Sequence, residues 1–284
     1  MGKSEETNIL LTVRGAMLSH SGRVRADNED VVLYRIPRAG ETAAGQGALA
    51  LVADGMGGHA AGGFASQIAA RAISFLYYRK GQEALAALRE GFRAANHLIH
   101  QRGQTDVECA GMGTTCTAIV IRDGLLWLAH VGDSRAYLVR DGEISQISED
   151  HSLVATLVRD GSLTPAQAKT SNDRNIILRA LGIQPSVEPF FFKEGMKLRE
   201  KDGLVLCSDG LHDLVDDGRI REIVAGQAPF DACQALVDLA LAAGGHDNIS
   251  VGVFVIEAKA PPALACDRPT REIKLAMALP EPSS

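Results

Sequence analysis

Two Asp-Gly pairs, Asp123-Gly124 and Asp141-Gly142, each stand between two runs that read as strands. TCTAIVI (115–121) and LLWLAHVGD (125–133) flank the first; RAYLVR (135–140) and EISQIS (143–148) flank the second. Glycine takes positive φ without steric cost, so Asp-Gly between such runs signals a hairpin and commits four strands to antiparallel neighbours. Three further runs extend the pattern: ALALVAD (48–54), LVLCSD (204–209) and ISVGVFVIE (249–257). The first of these is almost continuously apolar, as expected of a strand covered on both faces. An early pair spans 10–18 and 29–36.

Helical periodicity appears in blocks and does not alternate with the strands. Phe64, Ile68, Ala72 and Phe75 or Leu76 recur at helical spacing, as do Leu85, Leu88, Phe92, Ala95 and Ile99, and 230–243 reads as a third helix. Antiparallel sheets with helices in blocks indicate an α+β layering and not a doubly wound parallel fold. Residues 150–190 are less regular; Ser162-Leu163-Thr164-Pro165 reads as a helix entrance in what looks like an insertion or flap over one edge. From Ala258 onward, five of the chain's ten prolines crowd into the last 27 residues. That stretch reads as a tail, with 271–279 as its only helix candidate.

With 284 residues, 46% of them hydrophobic, the chain can bury one large core or two. A net charge of −6 argues against nucleic acid or an anionic membrane as partner, and no apolar run approaches a membrane span. The N-terminus has no signal-peptide pattern, and Glu6 stands where a myristoylation signal needs Ser or Thr, so the expected compartment is the cytoplasm. Five cysteines (109, 116, 207, 233 and 266) without a CxxC pair read as reduced packing residues.

The chemistry lies in acids at strand ends. LALVAD stops at Asp54, LWLAHVGD at Asp133 and LVLCSD at Asp209; Asp247 precedes ISVGVFVI, and Asn28-Glu29-Asp30 opens DVVLYRI. Any one of these could be turn chemistry. Together, at one rim of a sheet, they would repel one another and lose hydration unless a hard cation such as Mg²⁺ or Mn²⁺ joined them. Gly55 lets the backbone approach closely enough for its carbonyl to serve as a ligand. Two oxygen-ligated ions suit in-line displacement at phosphorus, and the Arg25 guanidinium, four residues before Glu29, matches phosphate oxygens bidentately.

GRVRADNED (22–30), VADGMGGHAAG (52–62), GMGTTCTAIVI (111–121), AHVGDSRAYLVRDG (129–142), EDHSLV (149–154), ILRALG (177–182), LVLCSDGLHDLV (204–215) and GGHDNISV (244–251) occur in that order. In these stretches the chain resembles the metal-dependent serine/threonine protein phosphatases, the PPM or type-2C family, in their bacterial form. The resemblance covers roughly residues 10–257 and implies a four-layer α-β-β-α sandwich, two antiparallel sheets packed face to face with helices outside. It implies a phosphatase domain over 1–257, with a flap at about 150–190; the tail at 258–284 lies outside the resemblance. It implies two Mn²⁺ or Mg²⁺ ions: Asp54 bridging both, the Gly55 carbonyl on the first, Asp209 and Asp247 completing the second. Glu29 and Asp30 would hold metal-bound waters, and Asp133 would join Asp209 at a third, weaker metal. Arg25 would hold the substrate phosphate. The expected substrates are phosphoserine and phosphothreonine proteins, including a Ser/Thr kinase and its targets, met by a monomer, though some relatives act on one regulatory protein of a partner-switching pathway. A non-catalytic relative would lack one or more of the metal acids, and here all are present. Some members carry His directly after the first Asp-Gly; here that residue is Met56. His59, three residues on, is expected to cap the following helix or face solvent, with leaving-group protonation coming from metal-bound water. Cys116 and Cys207, inside apolar runs, are not expected to be nucleophiles.

Overall fold

The computed structural model describes residues 11–38, 40–57, 61–79 and 82–258. The first ten residues, His59, Cys266 and the tail with its 271–279 helix candidate lie outside the described residues.

In chain order the elements are β1 (Leu11–His20), β2 (Val31–Arg35), β3 (Ala48–Ala53), β4 (Gly55–Met56), α1 (Ala61–Tyr77), α2 (Ala84–Thr105), β5 (Gly113–Thr114), β6 (Cys116–Arg122), β7 (Leu125–Val131), β8 (Arg135–Arg140) and β9 (Glu143–Gln146). There follow α3 (Leu153–Arg159), α4 (Pro165–Thr170), β10 (Phe190–Phe191), β11 (Met196–Lys197), β12 (Gly203–Cys207), α5 (Asp209–His212), α6 (Asp217–Gly226), α7 (Pro229–Ala242) and β13 (Ile249–Ala258).

Five strands in the order β1-β13-β12-β8-β9 form one sheet; β10-β7-β6-β3-β2 form the other, with β11 also on β7. Every pairing is antiparallel. The two Asp-Gly pairs make the β6–β7 and β8–β9 turns. Asp123 and Gly124 stand at φ 54° and 73°, Asp141 and Gly142 at 53° and 81°, the double positive φ of a type I′ hairpin.

Three apolar clusters fix the layers. Leu49, Leu51, Val120 and Val131 face Ile73, Leu88, Phe92 and Ile99 of α1 and α2. Ala50, Val52, Ile119 and Leu128 meet Leu138, Leu204, Leu206 and Phe254 between the sheets. Val205, Val251 and Val253 face Ile220, Ile223, Leu236 and Val237 of α6 and α7. The sandwich is therefore four layers deep, helix–sheet–sheet–helix. The buried residues of α1 include Ala61, Gly62, Ala65, Ser66, Ala69 and Ala70, a stripe of small side chains that recurs every three or four residues.

Two differences from the sequence reading bear on the site. The run LVLCSD leaves its strand at Cys207: Ser208 is the N-cap of α5 and Asp209 its first residue. Residues 150–190 carry two short helices, α3 and α4, the second opened by a Thr164–Gln167 capping box. Among the described residues no helix is long and apolar enough to cross a membrane.

Candidate metal centre

Asp54 sits just past β3, where the chain is fixed by its neighbour strand. Its N–H donates to Thr115 Oγ1 at 3.1 Å, and its carbonyl accepts from the Thr115 N–H at 2.9 Å and from Thr114 Oγ1 at 2.8 Å. Gly55 is then required by close approach: a Cβ there would fall 2.2 Å from the Gly62 carbonyl oxygen and 2.8 Å from that of Glu29. Gly62 answers it, since its own Cβ would lie 2.8 Å from Glu29 Oε1. The two glycines bring the start of α1 and the Glu29 side chain against the Asp54 loop.

The other acids arrive on separate elements. Asp30 enters just before β2, buried, with Oδ2 accepting from Ser208 Oγ at 2.8 Å. Asp209 opens α5, and its charge acts on the Asp54 carboxyl. Asp133 lies in the β7–β8 connection and is buried. Asp247 precedes β13; its Oδ1 accepts the Asn248 N–H and its Oδ2 accepts from Arg25 Nη2, both at 2.8 Å. Arg25 stays half exposed at the rim, and its guanidinium is held further in the charged form, first by that hydrogen bond to Asp247 and more weakly by Glu29 and Asp209. Glu29 Oε1 accepts from the Gly63 N–H at 3.3 Å.

The electrostatics follow from burial. The Asp54 carboxyl is pushed well above the usual carboxylate range by desolvation first, then by the charges of Asp30, Asp209, Asp133 and Asp247. Desolvation also lifts Asp30 and Asp133 to about 7, with Asp209 adding to both, and it raises Asp209 itself, with Asp247 contributing. Two of these carboxyls keep an oxygen buried without any hydrogen-bond partner, Asp30 Oδ1 and Asp133 Oδ1. Five carboxyls from five chain segments, two of them with an unpartnered buried oxygen, fit hard divalent cations. Among the described residues no three His, Cys, Asp or Glu side chains stand close enough together to hold one ion by themselves.

All the acids named from the sequence thus gather at one rim with Arg25 and Gly55. Asn248, Ser208 and the Thr114-Thr115 pair were not legible as site residues. Asn248 Nδ2 donates to the carbonyls of Ser21 and Asp27 at 3.0 Å each, and its Oδ1 accepts the Glu29 N–H at 2.8 Å. Ser208 Oγ also accepts the Ser250 N–H at 3.0 Å. Their only sequence signal is position beside Asp247, Asp209 and the β6 start. Cys116 and Cys207 are fully buried, and burial pushes the Cys207 thiol up to about 12 and the Cys116 thiol up as well, so neither supplies a thiolate. A cavity of about 860 Å³ runs from Asp133 and Asp209 past His212 to Val154 of α3 and to Pro165 and Lys169 of α4.

Comparison with known proteins gives a consistent picture. The sequence pattern of the family described as Protein phosphatase 2C matches residues 28–235. The chain is 42% identical over 246 residues to the serine/threonine protein phosphatase PstP of Mycobacterium tuberculosis, covering 86% of this chain but 45% of that protein, so it spans under half that relative's length. It is 37% identical over 243 residues to the protein phosphatase PhpP of Streptococcus pneumoniae, covering 84% of this chain and 95% of that one. Among solved structures, the catalytic domain of PstP in complex with two manganese ions superposes with a TM-score of 0.76 at 40% identity, covering 87% of this chain and all of that one.

Proposed function

The chain belongs to the protein phosphatase 2C family, and from that membership we propose that it hydrolyses phosphoserine and phosphothreonine esters of proteins, in signalling opposite a Ser/Thr kinase. The observation that carries the proposal is the convergence of Asp30, Asp54, Asp133, Asp209 and Asp247, with two orphaned carboxylate oxygens, beside Arg25.

In this reading Asp54, Asp209, Asp247 and the Gly55 carbonyl hold two Mn²⁺ or Mg²⁺ ions, and Asp133 with Asp209 takes a weaker third. Bound there, the cations supply positive charge to a developing phosphorane and lower the pKa of water at neutral pH. Arg25 positions the phosphate: one N–H is engaged by Asp247, and the remaining donors of its fork can meet phosphate oxygens. Glu29, held by the Gly63 N–H and by Asn248, and Asp30, held by Ser208, orient water at the rim. Thr114 and Thr115 fix the Asp54 backbone, so the acid meets its partners without reorganisation. The catalytic unit we propose is 1–257, with 150–190 as the flap and 258–284 as an appended tail. It acts as a cytoplasmic monomer on phosphoproteins, among them a kinase and that kinase's targets; the four described cysteines, all free and buried, suit a reducing compartment.

The test is phosphate release from matched phosphoserine, phosphothreonine and phosphotyrosine peptides with Mn²⁺. Turnover of the first two supports the proposal; turnover of phosphotyrosine alone, or of none of the three, rejects it.

A further inference from the structure

Asp133 is aimed by its main chain. The Gly132–Ser134 loop is fixed from four sides while the Asp133 carboxyl keeps Oδ1 buried and unpartnered. Ser134 Oγ meets Thr115 Oγ1 at 2.6 Å, the residue that also holds the Asp54 N–H. The Asp133 carbonyl accepts from His212 Nε2 at 3.0 Å. Gly132, at φ +108°, lies flat on Thr115, where a Cβ would fall 2.5 Å from the Thr115 Cβ. The fourth anchor comes from the flap. The His151 N–H donates to the Gly132 carbonyl at 2.7 Å, and His151 Nδ1 accepts the Gly132 N–H at 3.2 Å. Both backbone polar groups of Gly132 therefore end on one side chain and one amide of His151.

His151 is itself locked. Its ring packs on His130 with centroids 4.9 Å apart. His130 Nε2 lies 3.0 Å from the Glu149 carbonyl, which can only accept, so the proton sits there, and the single proton of the Thr117 hydroxyl is shared between His130 Nδ1 at 2.8 Å and the Ser134 carbonyl at 3.0 Å. Burial holds both imidazoles neutral, His130 at about 4 and His151 at about 3, which leaves the His151 Nδ1 lone pair available to Gly132. Next door, Asp150 accepts from Arg135 Nε and Nη2 and from Gln146 Nε2, the last two at 2.7 Å. The His151 carbonyl accepts the Leu178 N–H at 2.7 Å and the Leu153 N–H donates to Ile176 at 2.8 Å, which closes the neck of the flap. Beyond that stiff neck, α3 and α4 have no buried residue.

We propose that His151 is a positioning residue for Asp133, holding Gly132 so that the unpartnered carboxylate faces the cavity beneath the flap. It ties the placement of the flap neck to the weaker cation site formed with Asp209. This rests on the reading of Asp133 as a ligand of that cation, and the experiment separates the two.

The experiment is calorimetric Mn²⁺ titration of the full chain and four variants, each checked for a cooperative melt. Wild type should show tight binding followed by a weaker event, and Asp133→Asn should lose only the weaker one. His151→Ala should weaken that event by about tenfold, the size of one lost buried hydrogen bond, and leave tight binding unchanged. His151→Asn, whose Oδ1 can stand where Nδ1 stands, should restore it; His151→Gln, whose oxygen reaches the Nε2 position instead, should not. Should His151→Ala fail to fold, the Asn and Gln variants carry the comparison. If Asp133→Asn leaves every event intact, the ligand reading is wrong and the proposal falls with it. If Asp133→Asn removes the weak event while the His151→Ala and His151→Gln variants titrate like wild type, His151 positions nothing.

Discussion

Asn248→Ala tests how the rim of the site is assembled. Residues 21–29 form no helix or strand, yet they carry Arg25 and Glu29. Asn248, buried at 6% exposure, supplies three side-chain hydrogen bonds to that segment, at Ser21, Asp27 and Glu29. Each is worth about 1 kcal/mol net, and water can partly replace the bonds at the half-exposed Ser21 and the exposed Asp27, so the expected loss is about 2–3 kcal/mol. At roughly 2–4 °C per kcal/mol for a chain of this size, Tm should fall by about 5–10 °C in a circular dichroism melt. Phosphate release should show a raised KM, because Arg25 and Glu29 lose their fixed backbone. Asn248→Asp should be worse than Ala: an ionised carboxylate beside Asp247 would face two carbonyl oxygens and donate to neither. A Tm change below about 2 °C with KM unchanged, or an Asp variant milder than Ala, would show that Asn248 does not hold this segment.

Gly55→Ala should cost about a hundredfold in kcat, because its methyl meets the Gly62 carbonyl at 2.2 Å and moves Asp54; normal kinetics would show that the loop can yield. Arg25→Ala should lower kcat/KM by about 10- to 100-fold through lost phosphate binding, with little change in Tm because the side chain is 55% exposed. Asp202, 1% exposed, is gripped by Arg140 Nε and Nη2 at 2.7 and 2.6 Å, so Asp202→Ala should cost about 3–5 kcal/mol in a urea unfolding series. Asp30 and Asp133 rise from 3.8 to about 7, so the metal-free fold binds their protons more tightly than the unfolded chain. Their contribution to stability is therefore full below pH 3.8 and lost as pH climbs to about 7. In EDTA the protein should melt lower at about pH 7.5 than at about pH 5.5, and Mn²⁺ should raise the former Tm more; a metal-free Tm that rises across that interval contradicts the assignment.

The sandwich was legible where local chemistry and global position agree. The β6–β7 and β8–β9 hairpins could be read because Asp-Gly is suited to the double positive φ those turns adopt. β3 could be read because all six of its residues are buried, leaving a continuous apolar run. By contrast, α5 is four residues long, too short for a periodic signal, and α6 buries only Ile220, Ile223 and Val224, so neither announces itself. The gathering of the acids followed from the cost of leaving them at strand ends without a cation. The groups that aim them did not, because their partners are remote in sequence: Ser208 reaches back 178 residues to Asp30 and Asn248 reaches back 221 to Asp27. Nothing in a window around Ser208 or His151 separates a capping serine or a core histidine from a residue that orients a carboxylate.

If the acids at this rim act through a cation, hydrolysis of a phosphoprotein needs both the metal and the carboxylates. The decisive measurement is phosphate release from a phosphothreonine peptide by the intact protein in Mn²⁺, the same protein in EDTA, and Asp209→Asn in Mn²⁺. Turnover by the intact protein with Mn²⁺ alone is the predicted result. Turnover that survives EDTA or the loss of the Asp209 carboxylate would mean that these acids do not work through a cation.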